Sequence, residues 1–594
     1  MFKMQLSQRW VDQLPRSADW LLLGLWVVIG SILRFTRLTA KPPWTDEFAT
    51  MVFSLGNDFT SVPLNQVISI DALLQPLKFN PNANIGDVVS LLLEKDNHPP
   101  LYFVLVHLWV KLFPPLGEYV DIWVVRSLSA LLGILSIPAI YFLGKIAFRS
   151  RRVGQISAAL MAVSPYGIFL AQEARHYTLA ILFVITSLTY FTLSINIFFS
   201  KKILSLWLVA TWIFINGIGL SVHYFFGITL LAEGITVIFL IYRHYQQKKD
   251  HLFFTSRNFI RIMLVFLGAI STGLTWMAVI IPKGYGNGMI TWVHPIKHIL
   301  YMISPPFQLL AVWIPMVSLL PVESSSLAIV ILSSLILLLF FIWFIPYIQK
   351  GIQEVLKYSD CNLSTKGLIG FILSAIAIFL GITYVIGLDI TRGARYSFVY
   401  YPAVIVLVAV SLAIFWNKSN FDNSILKVKH QILFNPTYLL TIVYNKLNSN
   451  GQLAVYAVWF MGFIGAITVL VNLGYQKYYL PDRLISVIKD TASSPVLIAT
   501  THRNLVQTGE TMGIALELQR RLELQDTLFL LSHKEQSEYS EATENLKQVV
   551  SQISYPIEVW TVNFQAPIDL KQCFVDQQKF PQVNGYSYQR YTCK

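Results

Sequence analysis

The chain is dominated by apolar runs long enough to cross a bilayer. The first, Trp20–Phe35, reads WLLLGLWVVIGSILRF. Others follow at Ser127–Phe148, Gly154–Ala171, Thr178–Phe199, Ile203–Val222, Phe225–Ile241, Phe259–Ile281, Leu327–Phe344, Leu368–Leu388, Phe398–Trp416 and Val455–Leu473. A helix needs about 20 apolar residues to span a hydrocarbon core of roughly 30 Å. Inside that core only a segment that satisfies its own backbone is stable, and a helix does so. The expected fold is therefore a polytopic all-α membrane protein. Two segments are ambiguous: HPPLYFVLVHLWVKLF from His98, and HILYMISPPFQLLAVWIPMVSLL from His298, which Pro305 and Pro306 interrupt. Each either spans or lies in the interface, so the expectation is about eleven to thirteen transmembrane helices, with eleven favoured.

Charge sets the expected topology. The formal net charge is +13, yet only 13% of residues are charged, against about 25% in soluble chains. The basic residues sit in short loops: Arg149–Arg152, Lys201 and Lys202, Tyr242–Lys249, around Lys350 and Lys357, and around Lys418, Lys427 and Lys429. Short basic loops stay cytoplasmic. This accounts for the excess without a nucleic-acid partner, since no basic stripe interleaved with aromatics stands outside the spans. Eleven spans place every one of these loops inside, together with the N-terminus. The first run lacks a small-residue cleavage site after it and reads as a retained span. The expected location is a bacterial-type plasma membrane, with the C-terminus outside the cytoplasm.

Beyond Leu473 the pattern changes. PVLIAT, TLFLLS and IEVWTV read as strands, and two helical patterns alternate with them. Such alternation implies a small α/β domain with a parallel core. The expected division is a membrane domain over 1–476, with a first outer loop over 37–125, and an extracytoplasmic domain over 477–594. Of the three cysteines, Cys361 lies in a polar loop, while Cys573 and Cys593 are either a disulfide or two thiols. No CxxC or His/Cys cluster suggests zinc.

With this topology the remaining polar motifs fall on one face. They are Asp46 and Glu47 in KPPWTDEFAT, DNHPP at Asp96–Pro100, QEARHY at Gln172–Tyr177, His223 and Tyr224, the loop Pro282–Pro295, and DITRGARY at Asp389–Tyr396. Six segments converging on one outward cavity would combine an acidic pair with several cations. Asp46 and Glu47 follow two helix-stopping prolines and Trp44, an interfacial anchor. On an extended loop adjacent side chains point apart, so one carboxylate would face the cavity. Arg175, Arg392 and Arg395 run against the positive-inside rule. They are either interfacial anchors or contacts to an anion, and arginine's forked donors suit phosphate. His98 is either a satisfied histidine or a phosphate donor. Lys283, in KGYGNG, sits in either a flexible loop or a lid. Tyr102, His176, Tyr177, His223, Tyr224 and Tyr396 are the expected cavity lining.

The order WTDE, HPPLYF, VVRSLSALLGILSIPAIYFLGKIAF and SPYGIFLAQEARHYTLAIL resembles the membrane glycosyltransferases of the C-type fold. The nearest groups are the protein O-mannosyltransferase-like enzymes, the lipid A aminoarabinose transferases and the core galacturonosyltransferases. The resemblance covers Trp20 to Leu240 and fades afterwards, with RGARYSFVYYP a later echo. It implies an inverting transfer from a polyprenyl-phosphate sugar to an envelope acceptor, with the essential acid of the first outer loop at Asp46. Glu47 would then orient the loop or bind a cation. It implies no cofactor at the site; a divalent metal stays open, although no ligand cluster is evident. The rival reading is a transporter or flippase of lipid-linked sugars. Such a protein would carry polar or broken positions within its spans, whereas the charges of this chain gather at span ends.

Overall fold

The computed structural model describes residues 16–96, 98–200, 202–248, 256–280, 293, 299–416, 447, 449–533, 540–554 and 556–593. The membrane part begins with α1 (Arg16–Phe35). The first loop, after α1, then folds into α2 (Thr45–Ser54), the short strand β1 (Val67–Ile68), α3 (Ile70–Leu73), α4 (Ile85–Lys95) and α5 (Leu101–Leu112). Next come α6 (Ile122–Phe148), α7 (Arg151–Val163), α8 (Pro165–Ala171), α9 (Tyr177–Phe199), α10 (Leu206–Val222), α11 (Phe226–Lys248) and α12 (Arg257–Ile280). The series closes with α13 (Ile299–Ala311), α14 (Trp313–Val317), α15 (Leu327–Val355), α16 (Ser359–Gly381), α17 (Tyr401–Ala413) and α18 (Gly451–Leu470).

Among the described residues, eight helices are long and apolar enough to cross a membrane, and the pair α7–α8, bent by 57°, makes a ninth. The shorter α10 and α17 coincide with the other two of the eleven expected runs. The chain is a multi-pass membrane protein. The two ambiguous segments form helices of 12 and 13 residues, α5 and α13. At 1.5 Å per residue each is about 20 Å long, the length of α17, and α14 carries the second segment on to Val317. Cys361, expected in a polar loop, lies in the first turn of α16 and is buried.

One carboxylate departs from the expectation that charge gathers at span ends. Glu233, midway along α11, is fully buried and accepts hydrogen bonds from Ser187 Oγ at 3.0 Å, in a group with Asn216 on α10. The hydropathy of α11 hides it, because one acid barely changes the average of a long apolar helix.

The C-terminal part carries α19 (Pro481–Thr491), β2 (Val496–His502), α20 (Leu505–Arg521), β3 (Leu528–His533), α21 (Ser540–Gln552), β4 (Ile557–Val562), β5 (Cys573–Val575) and β6 (Tyr588–Cys593). The expected parallel core is present: β2 lies between β3 and β4, parallel to both. Its strands are buried on both faces and read as continuous apolar runs, as parallel strands do. β6 and β5 add antiparallel strands at one side, and Cys573 and Cys593 are joined as a disulfide across them.

The other edge of this sheet belongs to the membrane part. β1, from the first outer loop, pairs antiparallel with β3, Val67 opposite Leu530 and Ile68 opposite Phe529. Asn65 extends the pairing: its Oδ1 accepts from the His533 amide at 2.7 Å and its carbonyl accepts from Asn545 Nδ2 at 2.9 Å. A second contact lies at α20, whose Gly509 and Gly513 face α2. A Cβ at Gly509 would lie 3.0 Å from Thr45 Cγ2, and one at Gly513 would lie 3.7 Å from the Phe48 ring. Missing side chains at this spacing let two helices approach closely. The C-terminal sheet and helix thus grip the outer loop from two sides, and α2 lies within the grip.

Candidate active site

The site is built on the first turn of α2. Asp46 and Glu47, expected on an extended loop, are helical and occupy that turn. The helix dipole favours carboxylates there. Successive helical side chains diverge by about 100°, so the two acids still face different surroundings.

Glu47 turns inward and is 1% exposed. Arg126, in the first turns of α6 and fully buried, donates to it through two parallel bonds, Nε to Oε1 and Nη2 to Oε2, both 2.8 Å. The Ala174 amide donates to Oε1 at 2.8 Å, and Lys477 Nζ lies 3.5 Å from Oε2. Arg126 Nη1 also donates to the carbonyls of Leu38 and Lys41 at 2.9 Å. Lys477 makes a close ion pair with Glu173. Burial alone would raise the Glu47 pKa; Arg126 and Lys477 outweigh it and hold the carboxyl at about 2. Glu47, expected with Asp46 as a reacting group, is enclosed by its partners and joins four segments.

Asp46 turns the other way, with its side chain 37% exposed. Two guanidinium groups approach Oδ2: Arg175 Nη2 at 3.6 Å and Arg395 Nη1 at 3.5 Å. At these lengths the charges attract without a good hydrogen bond. Arg175 is 1% exposed and donates to the Asp46 carbonyl at 2.9 Å and to Thr50 Oγ1 at 3.2 Å. It serves α2 and is buried rather than facing open space. Arg395 stays partly exposed and lies 4.0 Å over the Trp44 ring. Trp44 therefore packs under a cation instead of anchoring in lipid. Tyr166 holds the Arg395 turn by donating to the carbonyls of Ala394 and Arg395 at 3.1 and 2.9 Å.

The histidines form a stack beside this pair. The His98 and His176 rings are 5.5 Å apart, and those of His176 and His223 are 4.5 Å apart. Burial, then mutual repulsion and the nearby arginines, push His176 and His223 well below the usual histidine range. Both are neutral and form a floor. Tyr177 belongs to this floor, and Tyr396 stands edge-on to Phe225 at 4.4 Å. Tyr102 is fully buried, bonds Ser129 Oγ at 2.6 Å and packs behind His176, so it does not line open space. Tyr224 packs near Trp276, and Arg392 is exposed on the turn before Arg395. Lys283 and its loop lie outside the described residues. Among the described residues no group of three or more His, Cys, Asp or Glu is placed to hold a metal ion.

Residues 97–276 match the family model described as dolichyl-phosphate-mannose-protein mannosyltransferase. The matched stretch is under a third of the chain and includes the HPPLYF and QEARHY motifs. No curated protein matches the sequence. Among solved structures, the chain is similar to ArnT from Cupriavidus metallidurans bound to undecaprenyl phosphate, with 11% identity over 96% of this chain and 97% of that one and a TM-score of 0.45. It is also similar to the Archaeoglobus fulgidus oligosaccharyltransferase in the apo form, with 11% identity over 92% of this chain and 70% of that one and a TM-score of 0.46.

The residues of this site that sequence reading missed are the buried ones. Arg126 sits inside VVRSLSALLGILS, where a lone arginine before a long apolar run reads as a span end. Lys477 falls at the start of the C-terminal part and yet reaches the membrane-side cluster, lying 5.5 Å from the Trp44 ring. The signal available was the arginine's position one turn inside a span, where a cation requires a partner.

Removing one partner of a buried ion pair leaves an uncompensated charge and costs about 3–5 kcal/mol. Glu47→Gln should lower the thermal midpoint accordingly in nanodiscs. The unfolded glutamate protonates near pH 4.5 and the folded one near pH 2. The pair's contribution is therefore full above about pH 4.5 and fades as pH falls toward 2. The difference between wild type and Glu47→Gln should narrow over that window; an equal midpoint at neutral pH would remove the pair from the account.

Proposed function

We propose that this chain is an inverting glycosyltransferase that moves a sugar from a polyprenyl-phosphate donor to an envelope acceptor on the non-cytoplasmic face. The observation that carries the reading is the arrangement at Asp46: a partly open carboxylate with a partly open guanidinium, Arg395, 3.5 Å away. Inverting displacement at an anomeric carbon needs both functions, a base on the acceptor's face of the sugar and a cation on the face of the leaving group. One group takes the acceptor's proton and another stabilises the departing phosphate.

The acceptor's oxygen or nitrogen attacks the anomeric carbon as the bond from that carbon to the phosphate oxygen breaks. The polyprenyl phosphate leaves with the electron pair, and Asp46 accepts the proton. Arg395, backed by Trp44, meets the phosphate. Arg392, exposed on the turn before Arg395, extends the basic surface. Arg175 keeps Asp46 in place from behind, and His176, Tyr177 and His223 form a neutral wall that leaves the charge to the arginines. The domain assignment follows: 1–476 performs the transfer, and 477–594 braces the outer loop.

The orientation rests on the basic loops. Tags at Arg151 and Lys202 should be cytoplasmic and a C-terminal tag should lie outside. A C-terminal tag reached only from the cytoplasm would overturn the single-face arrangement.

The chemistry is tested by complementation. Envelope glycans and glycolipids of a strain lacking this chain are profiled by mass spectrometry, then restored with wild type or Asp46→Asn at matched expression. Asp46→Asn should cut product formation by about 100-fold or more. Full restoration would remove Asp46 from the mechanism. Arg395→Lys keeps the charge and loses the fork, so affinity for undecaprenyl phosphate in nanodiscs should fall by about 1–3 kcal/mol. Unchanged affinity would leave Arg395 as a structural contact of Trp44.

A further inference from the structure

Asp46 ends a chain of contacts that begins at Asp96. Asp96 Oδ1 lies 2.9 Å from His98 Nδ1, and His98 Nε2 lies 3.0 Å from Arg175 Nη2. That same Nη2 lies 3.6 Å from Asp46 Oδ2. Donor chemistry fixes where the protons are. A guanidinium only donates, so His98 Nε2 carries no hydrogen and accepts. The ring proton is then on Nδ1 and is given to Asp96. One neutral tautomer satisfies both contacts; an imidazolium would set one N–H against another.

Arg175 depends on this arrangement. It is buried, and its Nε has no hydrogen-bond partner among the described residues. Its orientation therefore rests on its two terminal nitrogens. Nη1 is held by α2, through the Asp46 carbonyl and Thr50. Nη2 has His98 at hydrogen-bond distance and Asp46 Oδ2 at 3.6 Å. The other groups facing the His98 ring are Phe103 of α5 at 5.9 Å and His176 at 5.5 Å. His223, from the end of α10, and Arg395 act at longer range through His176.

We propose that His98 is a positioning residue, a neutral hydrogen-bond bridge that turns Arg175 toward Asp46, with Asp96 selecting its tautomer. This replaces the expectation that His98 meets the donor phosphate, and it rests on the reading of Asp46 as the acceptor's base. The bridge also explains why a histidine precedes the prolines of HPPLYF: a lysine there would only donate and could not receive Arg175.

The test needs neither sugar nor acceptor, so it stands apart from the complementation result. Full-length protein in nanodiscs is treated with a hydrophobic carbodiimide, which attacks protonated carboxyls. Labelling of Asp46 is read by peptide mass spectrometry, and undecaprenyl phosphate affinity is measured in parallel. In His98→Leu, Arg175 loses its hold and Asp46 protonates more readily, so labelling should speed up by about threefold or more. Affinity for undecaprenyl phosphate should stay within about twofold, since no donor contact is lost. His98→Gln keeps one donor and one acceptor at the end of its side chain and should match wild type in both readouts. If His98→Leu fails to insert, Asp96→Ala removes the tautomer's partner and should show the same faster labelling. Unchanged labelling in His98→Leu or Asp96→Ala overturns the bridge. A loss of undecaprenyl phosphate affinity with unchanged labelling assigns His98 to the donor instead, and a His98→Gln that behaves as His98→Leu overturns it as well.

Discussion

The buried pair of Glu47 and Arg126 is the contact on which the rest of the site depends. A carboxylate and a guanidinium taken out of water are costly unless each finds its partner and its remaining hydrogen bonds. Here both are filled: Glu47 receives Arg126 and the Ala174 amide, and Arg126 also reaches two carbonyls on the strand of chain that leaves α1. The pair joins the outer-loop helix α2, the span α6, the turn between α8 and α9, and, through Lys477, the link to the C-terminal part. Each segment arrives from a distant place in the sequence.

Fixing Glu47 fixes its neighbour. With α2 pinned by one first-turn acid, the other projects about 100° away, into a setting that is half open and flanked by Arg175 and Arg395. Two adjacent carboxylates thus take different roles because their surroundings differ, one ionised by enclosure and one left accessible. The C-terminal sheet adds rigidity from the opposite side. β1 is drawn from the outer loop to form its edge, and the glycine face of α20 rests on Thr45 and Phe48. A carboxylate placed on a loop between spans would ordinarily be mobile; these contacts tie the helix that carries Asp46 to a packed core.

Much of this was legible in the sequence, because the informative residues break local patterns. Runs of about 20 apolar residues gave the spans, and the continuous apolar strands gave the parallel core. Asp46, His98, Arg175 and Arg395 stood out as charge or polarity on the face where basic residues are scarce, and the structure brings all four together. What stayed hidden was partnership. Arg126 and Lys477 are unremarkable where they stand, since periodicity reports one helix's faces and says nothing of what another brings opposite. Arg175 was read as free for the same reason. β1 was hidden because a strand of two residues carries no alternation to read, and Glu233 because a single acid is averaged away within α11.

The central claim is that donor phosphate meets the protein beside Asp46. The direct measurement is a cryo-electron microscopy structure of the full chain in nanodiscs with undecaprenyl phosphate. The account predicts phosphate density within hydrogen-bond distance of Arg395, next to the open face of Asp46, with Glu47 and Arg126 still paired behind it. Phosphate bound at the opposite membrane face, or at a site remote from Asp46, would contradict it.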